Sequence, residues 1–108
     1  MIGLFELARI RQERAGKKYV LENGQNAAMY RNNCLDIMEE LADAWNILTL
    51  LDYRLMKVKA CTPATDRIIA QIFNAIDTAS RWVDALEYTI PEDMRRDLIE
   101  VERILPEN

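Results

Sequence analysis

The residues best suited to chemistry are four carboxylates, Asp36, Glu39, Glu40 and Asp43, spaced three and four apart. In a helix, at about 100° per residue, that spacing gathers them on one face. Neighbouring like charges repel by about 0.7 kcal/mol at ~6 Å in water, and by nearer ~3 kcal/mol at an effective dielectric of about 20. A solvated face tolerates the first cost. A partly covered face calls for a cation, and hard oxygen ligands of this kind suit Mg²⁺ or Mn²⁺. Two possibilities stand side by side: a solvent face continued by Arg54 and Lys57, or one wall of a cleft. Ile47 and Leu50 continue the carboxylates' side one or two turns on, so something is expected to pack there.

Other reactive groups are sparse. Histidine is absent, which removes Ser-His and Cys-His nucleophilic chemistry and the usual zinc sites. Cys34 and Cys61 match no metal-binding spacing and read as reduced thiols in packing positions. Asp77 and Asp84 stand seven apart, and Asp77 also faces Arg81 at i,i+4, the spacing of a surface ion pair. Arg54 and Lys57 are placed either to meet a phosphate or to lie along the surface as solvated cations. Trp45, Trp82, Tyr30, Tyr53 and Tyr88 could stack a base, but at helical spacing they serve equally as core or interface. The net charge of −4, from 14 basic and 18 acidic residues, argues against nucleic-acid binding, which needs a basic surface. Arg9, Arg11, Arg14, Lys17 and Lys18 are the basic cluster, and it wraps its helix rather than forming one stripe.

Glu39-Glu40-Leu41-Ala42-Asp43, followed by Ala44-Trp45-Asn46-Ile47-Leu48, resembles the metal-binding helix of the MazG-like all-α nucleoside triphosphate pyrophosphohydrolases. The resemblance covers roughly residues 33–58. It implies an EExxE helix and an ExxD helix that hold Mg²⁺ on the phosphates of a nucleotide substrate, in a dimer or tetramer. Carried over, it makes Glu39 and Glu40 catalytic and Glu39, Glu40, Asp43 and Asp77 metal ligands, with Arg54 and Lys57 near the substrate. The sequence departs from that pattern at the second motif. Asn74-Ala75-Ile76-Asp77 has Asn in place of Glu, and the stretch upstream of the ridge at residues 3–15 offers only Glu6 and Glu13, seven apart.

Helices must position all of these groups. Half of the 108 residues are apolar, only three glycines and three prolines interrupt them, and strong helix formers dominate between. The length allows one core, so a single all-α domain over 1–108 is expected. Apolar spacing predicts helix 1 over 3–15, with Leu4, Leu7, Ala8 and Ile10, terminated at Gly16. Residues 17–25 read as a loop with an Asn23-Gly24 turn, and Asn26 as the next cap.

Helix 2 is predicted over 27–59 as the long central element. Cys34, Leu41, Leu48 and Leu55 recur every seven residues beside a second row, Ile37, Ala44, Leu51 and Val58. With Ile47 and Leu50 it is apolar on two sides, which points to a central helix or, the favoured reading, a subunit interface. Thr62 caps and Pro63 opens helix 3, predicted over 64–88 with Ile69, Ile72, Phe73, Ile76, Val83 and Leu86 inward. After Pro91, helix 4 runs to about Leu105 with Met94, Leu98, Val101 and Leu105 on one stripe.

The expected architecture is a four-helix bundle-like domain in a homo-oligomer, with the helices joined by the short connections after helix 2 running antiparallel. The first residues, MIGLFELARIRQERAG, have scattered charge and no apolar signal core, and no stretch approaches the ~20 apolar residues of a membrane span. The cytoplasm is the expected compartment. Two functions follow: Mg²⁺-dependent nucleotide pyrophosphohydrolysis, or a non-catalytic helical module for protein interaction and dimerisation.

Overall fold

The computed structural model describes residues 1–16 and 32–92, and every regular element among them is helical. Helix α1 is Leu4–Gly16, α2 is Asn33–Lys57 and α3 is Pro63–Glu87. The predicted loop over 17–25, the Asn26 cap, the first residues of helix 2 and the whole of helix 4 lie outside the described residues. The chain divides into two compact units: residues 1–33 with 92–108, and residues 34–91. The single domain expected over 1–108 is therefore described in two parts.

In the first unit, Gly16 is the last residue of α1, where the sequence placed its end. Arg9 holds this helix's polar side, reaching Glu6 and Glu13 at 2.7 Å each. The second unit is a hairpin of α2 and α3. Helix α2 ends two residues earlier than predicted, through main-chain geometry rather than a glycine. The Ala60 N–H donates to the Leu55 carbonyl at 2.9 Å and the Lys59 N–H to Met56 at 3.1 Å. Those two bonds define a Schellman cap, and they put Lys59 in the left-handed region at φ 55°. No glycine or proline stands between Lys57 and Cys61 to announce this stop.

Helix α3 opens as its sequence signals. Thr62 is extended, its Oγ1 accepts from the Thr65 N–H at 3.1 Å, and the Thr62 N–H donates to Thr65 Oγ1 at 2.8 Å. Pro63 takes the first turn, where its missing N–H costs nothing.

Two contacts fix how the hairpin closes. Trp45 meets Phe73 edge-on, ring centroids 4.5 Å apart, and Asp52 lies with Asp66 across the turn. Seven residues forward along α2 match seven backward along α3, so the helices run antiparallel. Cys34, Leu48 and Ile69 are the buried apolar residues of the described chain, with Leu41, Leu55, Phe73, Ile76 and Val83 half-buried around them. The seam thus follows the row of sevens on α2. Ile72 and Leu86, expected inward on α3, are exposed, because a single opposing helix covers only a narrow stripe.

Candidate functional site

The acidic ridge lies on the outer part of α2. Glu39, Glu40 and Asp43 are exposed and enter no ion pair among the described residues, whereas Asp36 is half-buried. Asp77 sits elsewhere. It shares a flank of α3 with Phe73 and Asp66, four and eleven residues back, and hence the side of the hairpin where Trp45 and Asp52 meet that helix. Glu40 and Asp43 lie with Ile47 and Arg54 on the opposite flank of α2. Asp77 is also engaged, receiving Arg81 at 3.0 Å, the i,i+4 pair anticipated from its spacing.

Among the described residues, then, Glu39, Glu40, Asp43 and Asp77 do not form a group close enough to share an ion. Arg54 is exposed beside the ridge. Lys57 places its ammonium 5.5 Å from the Tyr53 ring centroid, a cation–π contact rather than a phosphate clamp.

The structure gathers a different trio, which spacing along the chain concealed. Asp52, Cys61 and Asp66 bring their ligand-type atoms within 4.8 Å of one another at the α2–α3 turn. Partial burial, then the charges of Asp66 and Asp52, push the Cys61 thiol above its ordinary value. A thiol held protonated is a poor nucleophile and a poor metal ligand. Cys34 is buried, the packing position expected of it, and Cys61 is half-buried.

Of α1's basic cluster, Arg9 is committed to Glu6 and Glu13, and its guanidinium pKa is raised by those two bonds. Lys17 and Lys18 lie outside the described residues. No helix among the described residues is long and apolar enough to cross a membrane.

The hairpin also carries an apolar face whose large side chains are exposed, with Ala44 and Ala79 half-buried in it. On α2 it comprises Ile37, Ala44, Ile47, Leu51 and Val58, with Glu40 and Arg54 completing the same three-and-four spacing. On α3 it comprises Ile68, Ile72, Ala75, Ala79, Trp82 and Leu86, again three and four apart. Relative to the seam the two stripes are equivalent. Ile47 and Leu51 stand one before and three after buried Leu48; Ile68 and Ile72 stand likewise about buried Ile69. Equal rotations about antiparallel axes lead to the same side of a helix pair, so the stripes form one continuous surface. Ile47 is 67 % exposed, Ile68 60 %, and Val58 and Trp82 72 % each. The sequence marked Ile47 as needing cover; on α3 it assigned Ile72 and Leu86 to the core and singled out neither Ile68 nor the two alanines, so that stripe was missed.

Comparison with protein-family models, with curated proteins and with solved structures finds no match to this chain.

Proposed function

We propose that this chain is a non-catalytic helical interaction module, and that the apolar face shared by α2 and α3 is its working surface. One observation carries this reading: each helix bears a second apolar row at three-and-four spacing, on the same side of the hairpin, whose large side chains are exposed. Scattered exposed apolar residues need no explanation, but a contiguous patch of this kind marks an association site. Two rows on each helix are what a helix needs when it packs against two neighbours, and the hairpin supplies one neighbour only.

The experiment is substitution on the face with stability and surface exposure read separately. Ile47→Lys and Ile72→Lys, each at an exposed position, should change unfolding free energy by no more than about 0.5 kcal/mol. Both should also reduce the binding of an apolar dye to a freshly diluted sample. Loss of helicity in either variant would mean that the face belongs to the chain's own core, and the interaction reading would fail.

The pyrophosphohydrolase alternative keeps one point in its favour: Glu39, Glu40 and Asp43 enter no ion pair among the described residues. It requires facing carboxylates from outside this hairpin, and a nucleotide panel tests it directly.

A further inference from the structure

Resting on that reading of the face, we infer that its occupant is a second copy of this chain, with the two α2 helices crossing antiparallel about Ile47. The sequence of the stripe selects this partner. Glu40 and Arg54, the two charged positions in it, stand seven residues before and seven after Ile47. Both are exposed, and neither enters an ion pair among the described residues.

A two-fold axis at Ile47 brings Glu40 of each copy against Arg54 of the other, twice, with Ile47 meeting Ile47 between them. That is the self-complementarity an isologous dimer requires, residue i on j and j on i. A parallel pairing would instead set Glu40 on Glu40 and Arg54 on Arg54. Ala44, adjacent to Ile47 on the stripe, lets the helices approach closely at the crossing.

The face is also large enough. From Ile37 to Val58 it runs roughly 30 Å at about 1.5 Å per residue, and two helices of ~10 Å diameter give a footprint of roughly 600 Å². That is of the order of the ~800 Å² per partner in a standard interface. Two hairpins joined this way form a four-helix assembly with one apolar core.

The test is sedimentation equilibrium of the full chain, with circular dichroism confirming that each variant is helical. The wild type is expected to be a dimer at tens of micromolar. Glu40→Arg and Arg54→Glu should each raise the dimer dissociation constant about tenfold or more, since each sets like charges together twice. The double reversal, Glu40→Arg with Arg54→Glu, should return it to within about threefold of wild type, because opposite charges face each other again. A double variant no tighter than the singles would overturn the antiparallel second-copy arrangement. A monomeric wild type overturns the second copy as well, and the lysine variants then separate the two claims. If Ile47→Lys stays folded, the face still awaits a different partner; if it unfolds, both proposals go.

Discussion

At the scale of single residues, neighbouring charge decides what each reactive group can do. Cys61 lies among Asp52 and Asp66, and the fold favours its neutral thiol over the thiolate. Burial and the two carboxylates penalise the thiolate, so Cys61 leaves folding stability unchanged below the ordinary value of 9.0 and lowers it as pH climbs from there through the folded value. Cys61 should therefore react with iodoacetamide at pH 8 more slowly than a peptide thiol. Asp52→Asn should speed that reaction about two- to fivefold, as removing a nearby negative charge lowers a thiol's pKa. An unchanged rate, read by peptide mass mapping, would show that the charge of Asp52 does not set the reactivity and leave it to burial and Asp66.

The ridge offers a second test at this scale. Because Asp77 is held by Arg81 on the far flank, a panel of nucleoside triphosphates with Mg²⁺ should yield no pyrophosphate above the blank. Release that Glu40→Gln abolishes would reinstate the enzyme. The spacing of Glu39, Glu40 and Asp43 made the ridge legible in the sequence, and so was the Asp77–Arg81 pair. What one helix's spacing could not tell is which flank of a neighbouring helix Asp77 would occupy.

At the scale of elements, the hairpin depends on how its turn is built. The Schellman cap of α2 places Lys59 in a conformation that favours glycine, and a side chain there costs roughly 1 kcal/mol. Lys59→Gly should stabilise the fold by about 0.5–1 kcal/mol, seen as a melting temperature higher by several degrees. A lower melting temperature would mean that the Lys59 side chain contributes more than its backbone strain costs. Across the turn, Thr62→Ala removes an acceptor from the Thr65 N–H and should destabilise by about 1 kcal/mol, with Thr62→Ser near wild type. The start of α3 was readable because Thr-Pro is a local signal. The stop of α2 was not, because it is made by main-chain bonds across residues with no special preference for a cap.

At the scale of the molecule, adjacent positions on α2 have opposite fates. Leu48 is buried in the seam and Ile47, one residue before it, is 67 % exposed. Leu48→Ala should cost about 2–3 kcal/mol of folding free energy, whereas Ile47→Ala in a dilute, monomeric sample should cost under about 0.5 kcal/mol. At concentrations where chains associate, Ile47→Ala should weaken association and lower the concentration dependence of the melting temperature. Equal costs in dilute solution would place Ile47 in the core of the isolated chain and remove the basis for an interaction face.

By itself the sequence determined that this chain is helical, where α3 begins, and which row of α2 recurs at sevens to form the seam, since all of these follow from local propensity and period. Only the tertiary structure decided which apolar rows are covered, because a helix's pattern shows how many sides want cover and never how many neighbours are present. It decided too that Asp77 is turned from the ridge while Asp52, Cys61 and Asp66 meet, since proximity across a turn depends on how two helices are rotated against each other.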